Sequence, residues 1–176
     1  MKQKEEQGVL VQVVSINSAS TNSNRLILAL DQSTNITGFA VFNNSQLKNH
    51  GTISFSGMDY LDRIIKLCDW VRRFIQDNNI SYVAFEDIQL QHGDALTYKK
   101  LAQLQGALIF LLKQLNIPFE IIPSTTWKSY HGIKGKKRAE QKANAQIFVN
   151  TTFNIIATED ESDAICIGKY MVDKLQ

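Results

Sequence analysis

The chain has 176 residues, of which 44% are hydrophobic and 20% are charged, and its formal net charge is +2. These values are ordinary for one soluble globular domain, and so small a net charge says little about partners. No apolar run approaches the roughly eighteen residues of a membrane span, and the N-terminus lacks the layout of a signal peptide. The two cysteines have no zinc-type spacing, so we expect reduced thiols in a cytoplasmic protein.

Residues 1–24 are predicted to form a flexible tail that precedes the domain. Residues 9–14 are mostly apolar and could add an edge strand, but residues 15–24, SINSASTNSN, form a Ser/Asn-rich linker. Terminal segments of this kind are often poorly ordered. The predicted domain therefore covers residues 25–176.

The domain begins with a buried strand and a tight turn. Residues 26–30 form a nearly continuous apolar run, typical of a strand covered on both faces, and this run ends at Asp31. The small polar residues 32–35 suit a turn, and residues 37–42 predict a second strand. Two strands joined so closely must be antiparallel. Residues 46–55 predict a third strand, which completes a meander.

Helical and strand patterns alternate in the rest of the chain. The predicted elements are a helix at 57–78, a strand at 81–86, a helix at about 94–114, a strand at 117–122, a short helical segment from 123, a helix at 136–150 and a helix from Thr158. Thr158 and Glu161 form the S/T-x-x-E pattern of a capping box. The order of elements indicates an α/β fold, a mixed sheet with helices on both faces.

Acidic residues come from three of these elements. Asp31 and Glu86 end two strands that we expect to be adjacent and parallel, and Asp160 and Asp163 lie three residues apart on the last helix. Carboxylates suit Mg²⁺ or Mn²⁺, and two such ions about 3.5–4 Å apart can hydrolyse a phosphodiester. The alternative is that Asp31 only caps its turn and that Asp160 and Asp163 are ordinary first-turn acids, as we expect of Glu159 and Glu161.

A basic segment between residues 128 and 142 is the second candidate functional feature. It surrounds two glycines and could approach and neutralise a phosphate backbone, although a solvated surface loop would have the same composition. Its candidate DNA-binding residues are Lys128, His131, Lys134, Lys136, Lys137, Arg138 and Lys142. His50 and His92 show no pattern and are predicted to be surface histidines.

Four segments of the sequence resemble the RuvC family of Holliday-junction resolvases, in the same order and spacing. They are LALDQSTNITGFAVF, VAFEDIQLQ, PSTTWKSYHGIKGKKRAEQK and DESDAICIG, and the likeness covers about residues 25–174. The shorter family members of phages from low-GC Gram-positive bacteria are the most similar. The resemblance implies a ribonuclease H-like fold with five strands, three antiparallel and two parallel. It also implies cleavage of four-way DNA junctions by paired nicks, in the host cytoplasm if a phage encodes the chain.

The same resemblance implies roles for individual residues. It makes Asp31, Glu86, Asp160 and Asp163 the ligands of Mg²⁺ or Mn²⁺, with two ions per site, and Lys128 a catalytic residue. The basic cluster from Lys134 to Lys137 would contact the cleaved strand. The family likeness further implies a homodimer joined through the helix at about 94–114, with no nucleotide cofactor and no membrane.

Departures from the family pattern keep other functions open. Bacterial members usually have glutamine after the glutamate and an aromatic residue three positions beyond it, where this chain has Asp87 and Gln89. Strict junction selectivity is therefore open, and an RNase H-type or flap- and branch-cleaving nuclease is an alternative. A nucleic-acid-binding module without catalysis is another. The first hairpin also resembles that of actin-like sugar kinases, but the chain has no second glycine-rich phosphate loop.

Overall fold

The structure is a computed structural model that describes residues 25–55, 57–89 and 95–176. The predicted tail, its candidate edge strand and His92 lie outside the described residues. Within these ranges the strands are β1 Leu26–Asp31, β2 Ile36–Asn43, β3 Gln46–Ser54, β4 Tyr82–Glu86 and β5 Phe119–Ile122. The helices are α1 Tyr60–Asn78, α2 Ala95–Gln114, α3 Ser124–Tyr130, α4 Arg138–Phe153 and α5 Glu159–Lys174.

The strands form one mixed five-stranded sheet in the order β3-β2-β1-β4-β5. The first three strands pair antiparallel through their short connections, whereas β4 pairs parallel with β1, and β5 parallel with β4. Both parallel strands follow a helix, which gives the chain the length that a parallel return needs. The predicted fold class and the predicted pairing of the strands are confirmed.

Alternate residues of the central strand β1 supply two hydrophobic cores. Ile27 and Ala29 face the core that is closed by α4 and α5, whereas Leu28 and Leu30 face the core closed by α1 and α2. All four side chains are at most 1% exposed. The continuous apolar run in the sequence is therefore explained by burial on both faces of the sheet. The polar residue that follows, Asp31, lies where this burial ends.

Several helix boundaries differ from the predicted ones because of local capping. Helix α1 begins at Tyr60 rather than at Gly57, since the Asp59 side chain accepts a hydrogen bond from the Leu61 N–H at 2.9 Å. Helix α4 continues to Phe153, where Asn154 adopts a left-handed conformation and ends it. The predicted capping box at the start of α5 is confirmed. None of the described helices has the length and apolarity needed to cross a bilayer.

Candidate active site

The sheet brings Asp31 and Glu86 to the same edge. Strands β1 and β4 are parallel neighbours, with Leu30 paired to Phe85, so their last residues lie side by side. Asp31 ends β1 and Glu86 ends β4. The predicted adjacency of these two carboxylates is confirmed, and both are mounted on rigid strands.

Helix α5 adds two more carboxylates at this edge. Asp163 is 7% exposed, and the charges of Asp160, Asp163 and Glu86 all act on Asp31. The start of α5 is placed there by a close contact with Gly38, which pairs with Asp31 across the first hairpin. A Cβ atom at Gly38 would lie 1.9 Å from the Asp160 carbonyl oxygen. The sequence offered a signal for this contact, because glycine within a strand often marks a close backbone approach.

The polar turn between β1 and β2 is held by its own hydroxyl groups. The Thr37 hydroxyl donates to the Ser33 carbonyl at 2.9 Å and accepts from the Ser33 N–H at 3.2 Å. The Gln32 side chain, 7% exposed, donates from Nε2 to the Glu86 backbone carbonyl, and this bond joins the ends of the two strands. Its Oε1 atom is buried without a partner among the described residues. The sequence pattern indicates only a turn residue at Gln32.

Trp127 orients the Glu86 carboxylate. Its indole Nε1 donates to Glu86 Oε2 at 3.0 Å, and the ring is completely buried below the sheet edge. The sequence pattern predicts a short helix around Trp127 and indicates no functional role for it. A tryptophan in a core usually finds an acceptor for its N–H, but the sequence does not indicate which acceptor.

Burial and mutual repulsion raise the pKa values of three of the four acids. Burial, followed by the charges of Asp163, Glu86 and Asp160, raises the pKa of Asp31 well above its ordinary value. Burial raises the pKa of Glu86 to about 7, against the opposing influence of Lys128 and of the Trp127 hydrogen bond. Burial likewise raises the pKa of Asp163 to about 6, although Lys142 and Lys128 lower it. Removal from water is therefore the main cause of the raised pKa values, and repulsion between the acids adds to it at all three.

The predicted basic residues divide into those near the acids and those away from them. Lys128 and Arg138 lower the pKa values of both Glu86 and Asp163, so their charges lie close to these carboxylates. Together with Lys134 and Lys142 they line the same cavity as the four acids, a space of about 1130 Å³. Lys136 and Lys137 are exposed side chains of the adjoining surface and do not line it.

Two predicted DNA-binding residues also make contacts within the protein. His131 Nε2 lies 2.8 Å from the Cys166 carbonyl oxygen, and its ring centre is 4.4 Å from that of Phe148. Burial lowers the pKa of His131, so the ring belongs to the packing between α3, α4 and α5. Lys142 pairs with Glu159 at 2.9 Å and with Asp160 at 3.4 Å.

Two further predictions, for Glu161 and for His50, need correction. Glu161 was expected to be only a solvated first-turn acid, but it closes the capping box and lies 3.1 Å from His50 Nδ1. Hydrogen bonds from Thr158 and His50 lower the pKa of Glu161, although burial alone would raise it. His50, which was predicted to lie on the surface, is partly buried, and its hydrogen bond with Glu161 joins β3 to α5.

The donor set fits a hard divalent cation. In the described ranges no three His, Cys, Asp or Glu side chains are already gathered around one point where an ion could bind. The chemistry is nevertheless suitable, because carboxylate oxygens are the ligands that Mg²⁺ and Mn²⁺ prefer. A cation would also stabilise the charged form of Asp31, whose pKa is raised by burial and then by the neighbouring carboxylates. The residues that could hold it are the predicted ones, Asp31, Glu86, Asp160 and Asp163.

Comparison with known proteins gives a family and a fold. Residues 27–169 match the family described as crossover junction endodeoxyribonuclease RuvC. No curated protein is significantly similar to the chain in sequence. Among solved structures, Thermus thermophilus RuvC in complex with a Holliday junction substrate is similar, with 13% sequence identity and a TM-score of 0.70. The match covers 86% of this chain and 95% of the Thermus chain.

Two resolvases from other sources share the fold. The yeast mitochondrial Holliday junction resolvase has a TM-score of 0.55 at 11% identity, and the match covers 87% of this chain and 85% of the resolvase. The fowlpox virus resolvase, solved with Holliday junction DNA, has a TM-score of 0.52 at 12% identity. The match covers 85% of this chain and 98% of the fowlpox resolvase. Since the family match spans most of the sequence and the fold agrees with it, this chain belongs to the RuvC family of crossover junction endodeoxyribonucleases.

Proposed function

We propose that the chain uses Asp31, Glu86, Asp160 and Asp163 to hold two Mg²⁺ ions, or Mn²⁺ in their place, and that it resolves four-way DNA junctions by paired nicks. The observation that carries the proposal is the meeting of the four acids at one sheet edge, inside the region that matches the family. The family's nucleases are generally dependent on divalent metal.

The bound ions would supply an activated water and stabilisation of the leaving oxygen. The chain's own residues then have separate tasks. The hydrogen bond from the Trp127 indole holds Glu86 in one orientation, and the hydrogen bond from Gln32 joins the end of β4 to the turn after β1. Lys128 and Arg138, whose charges act on Glu86 and Asp163, would attract the scissile phosphate and orient it.

The test of this function is cleavage of four substrates side by side. A four-way junction, a three-way junction, a 5′ flap and an RNA–DNA hybrid, matched in sequence, are incubated with Mg²⁺ and then with Mn²⁺. We expect the four-way junction to be cut at opposing strands and the linear hybrid to remain intact. Preferential cleavage of the flap or of the hybrid would contradict junction resolution and favour one of the other nuclease activities.

The basic surface beside the cavity is expected to carry affinity for the DNA backbone. Changing Lys134, Lys136 and Lys137 together to Ala should reduce the salt slope of binding by about 0.9 for each phosphate contact that is lost, because each contact releases counterions. The slope is measured as log Kd against log salt concentration.

A matched control removes the same charge elsewhere. Lys48, Lys66 and Arg73 are exposed and lie outside the cavity. Changing these three residues to Ala lowers the net charge equally and is expected to leave the slope nearly unchanged. Equal slopes for the two triple variants would refute the proposed role of the segment.

Without metal, the protein is expected to lose stability as pH rises. Folded Glu86 and Asp163 have pKa values of about 7 and about 6, above their ordinary values of 4.5 and 3.8. The native state therefore binds more protons than the unfolded state, so the free energy of unfolding falls between about pH 4 and pH 7.

Melting temperature between about pH 5 and pH 8, in a chelator and then in Mg²⁺, checks this expectation. Added Mg²⁺ should restore stability most at the alkaline end, where the carboxylates are charged. The double variant Glu86→Gln, Asp163→Asn should show a flatter pH profile and a smaller response to Mg²⁺. A metal-free wild type that becomes more stable with rising pH would contradict the raised pKa values of Glu86 and Asp163.

We also propose a homodimer joined through α2. Leu104, Leu108 and Leu112 are completely buried in the sheet core, so the predicted core role of Leu104 is confirmed. On another side of the helix Phe110 is 64% exposed, and a Cβ at Gly106 would have no neighbour within 4 Å. A C₂ dimer would give two active sites at a fixed separation, as two matched nicks require.

Changing Phe110 to Glu is expected to weaken the dimer and to reduce paired nicking, while single nicks continue. Sedimentation at micromolar concentration measures the first effect, and a cruciform plasmid separates paired from single nicks. Ile147→Glu is a suitable control, because Ile147 is 62% exposed but lies on α4. A wild-type chain that sediments as a monomer, both free and on junction DNA, would exclude this arrangement.

A further inference from the structure

The first turn of α5 is held by two neighbouring strands of the sheet. On β2, a Cβ atom at Gly38 would lie 1.9 Å from the Asp160 carbonyl oxygen, so the helix already lies as close to this strand as a bare backbone allows. On β3, His50 Nδ1 lies 3.1 Å from Glu161 Oε1. Ala40, the cross-strand partner of His50, belongs to the core closed by α4 and α5, so Gly38 and His50 face the helix from the same side of the sheet.

These two contacts restrain the helix in opposite directions. The backbone contact at Gly38 prevents α5 from moving nearer to the sheet. The hydrogen bond between His50 and Glu161 opposes movement of the same turn away from the sheet. Together they define the distance between the sheet and the turn that carries Asp160.

Both oxygens of the Glu161 carboxylate are engaged. Oε1 meets His50, and Oε2 accepts from the Thr158 N–H at 2.7 Å as part of the capping box. Since a carboxylate can only accept, His50 donates from Nδ1. The His50 and Glu161 side chains are only 28% and 15% exposed, and partial shielding from water strengthens a hydrogen bond. Glu161 is therefore fixed to β3 and to the start of its own helix.

Glu161 and the two candidate metal ligands of α5 project from different sides of the helix. Successive residues are about 100° apart around the helix axis, so Asp160 and Asp163 are about 60° apart, whereas Glu161 points away from Asp163. A rotation or shift of this turn moves all three side chains together, because they share one rigid stretch of backbone. An anchor on the Glu161 side therefore also fixes the side that faces the cavity.

We propose that His50 is a positioning residue of the active site. Through Glu161 it holds the first turn of α5, and with it Asp160 and Asp163, at the place where these carboxylates can bind a divalent metal ion together with Asp31. This inference rests on the proposed function, because it assumes that these acids are the metal ligands.

Direct binding of Mn²⁺, measured by electron paramagnetic resonance without DNA, tests this role apart from cleavage. His50→Ala should weaken Mn²⁺ binding about tenfold or more, because groups that orient metal ligands typically contribute about 10–100-fold to affinity. His50→Asn should keep most of the wild-type affinity, since its amide N–H can take the place of the Nδ1 donor. Asn49→Ala, at an exposed neighbouring residue of β3, is the control and should bind as the wild type does. All variants are compared below their melting temperatures.

A double variant tests whether His50 acts through Glu161. Glu161→Ala removes the acceptor, so His50→Ala should add little to the loss of Mn²⁺ affinity that Glu161→Ala already causes. Two independent roles would instead give losses that add.

The outcomes separate the role of His50 from the proposed function. Unchanged Mn²⁺ affinity in His50→Ala would overturn the inference, as would a His50→Asn variant as weak as His50→Ala, or additive losses in the double variant. Wild-type cleavage of the four-way junction is scored separately. If the wild type binds Mn²⁺ and fails to cut the junction, the nuclease proposal fails and the Mn²⁺ affinities still decide the role of His50.

Discussion

The Glu86→Gln variant is expected to lose about a thousandfold or more of its junction cleavage while it binds junctions at least as well as the wild type. A bound metal contributes several kcal/mol to the transition state, and each loss of about 1.4 kcal/mol slows the reaction tenfold. Gln keeps the size of the side chain and an oxygen that can accept from the Trp127 indole, which now lies 3.0 Å from Glu86 Oε2. Removing one negative charge from the cavity also lessens the repulsion of DNA phosphates.

Single-turnover cleavage of a four-way junction in Mg²⁺ and binding in a chelator measure the two effects. Glu120→Gln is the matched control, because Glu120 lies on the neighbouring strand β5 and pairs with Lys174 instead of lining the cavity. It should cleave at the wild-type rate. Near-wild-type cleavage by Glu86→Gln would show that this carboxylate does not hold a catalytic metal.

The Gly38→Ala variant is expected to lose both stability and activity, although residue 38 carries no functional group. Its Cβ would lie 1.9 Å from the Asp160 carbonyl oxygen, and backbone atoms cannot yield as a flexible side chain can. Helix α5 must then move away from β2, and Asp160 and Asp163 move with it. Such overpacking costs about 1–3 kcal/mol, and a displacement of about 1 Å at a catalytic centre can cost about a hundredfold in rate.

Gly106→Ala is the control for the stability effect only, since Gly106 lies on the proposed dimer face of α2. A Cβ there meets nothing within 4 Å, and alanine stabilises an exposed helix by up to about 1 kcal/mol relative to glycine. Cleavage is measured at a temperature where both variants are folded, and melting temperature is recorded for each. If Gly38→Ala cleaves as fast as the wild type, the close approach of β2 and α5 does not position the carboxylates.

The sequence determines the sheet and its acidic edge because these features depend on local patterns. The run from Leu26 to Leu30 predicts a strand buried on both faces, and the tight turn after Asp31 requires an antiparallel partner. A helix before the next strand permits the parallel pairing that places Glu86 beside Asp31. The capping box at Thr158 sets the first turn of α5, and with it the spacing of the last two acids.

Only the tertiary structure decides which polar side chains lie at the acidic edge of the sheet. The basic segment looks uniform in sequence, yet its residues have different partners. Lys128 and Arg138 act on Glu86 and Asp163, and Lys142 acts on Asp163 while it also pairs with Glu159. His131 instead packs inward against Phe148. Their helices place some side chains toward the cavity and others toward a neighbouring element.

The partners of Glu86 could not be predicted from the sequence either. Trp127 reaches its carboxylate from 41 residues away, and Gln32 reaches its backbone carbonyl from 54 residues away. Periodicity records which face of an element is buried, but it carries no information on which distant donor meets a buried acceptor. That choice follows from how α3 and the first hairpin pack on the edge of the sheet, because a buried polar atom must find its hydrogen bond among the groups that the fold brings near.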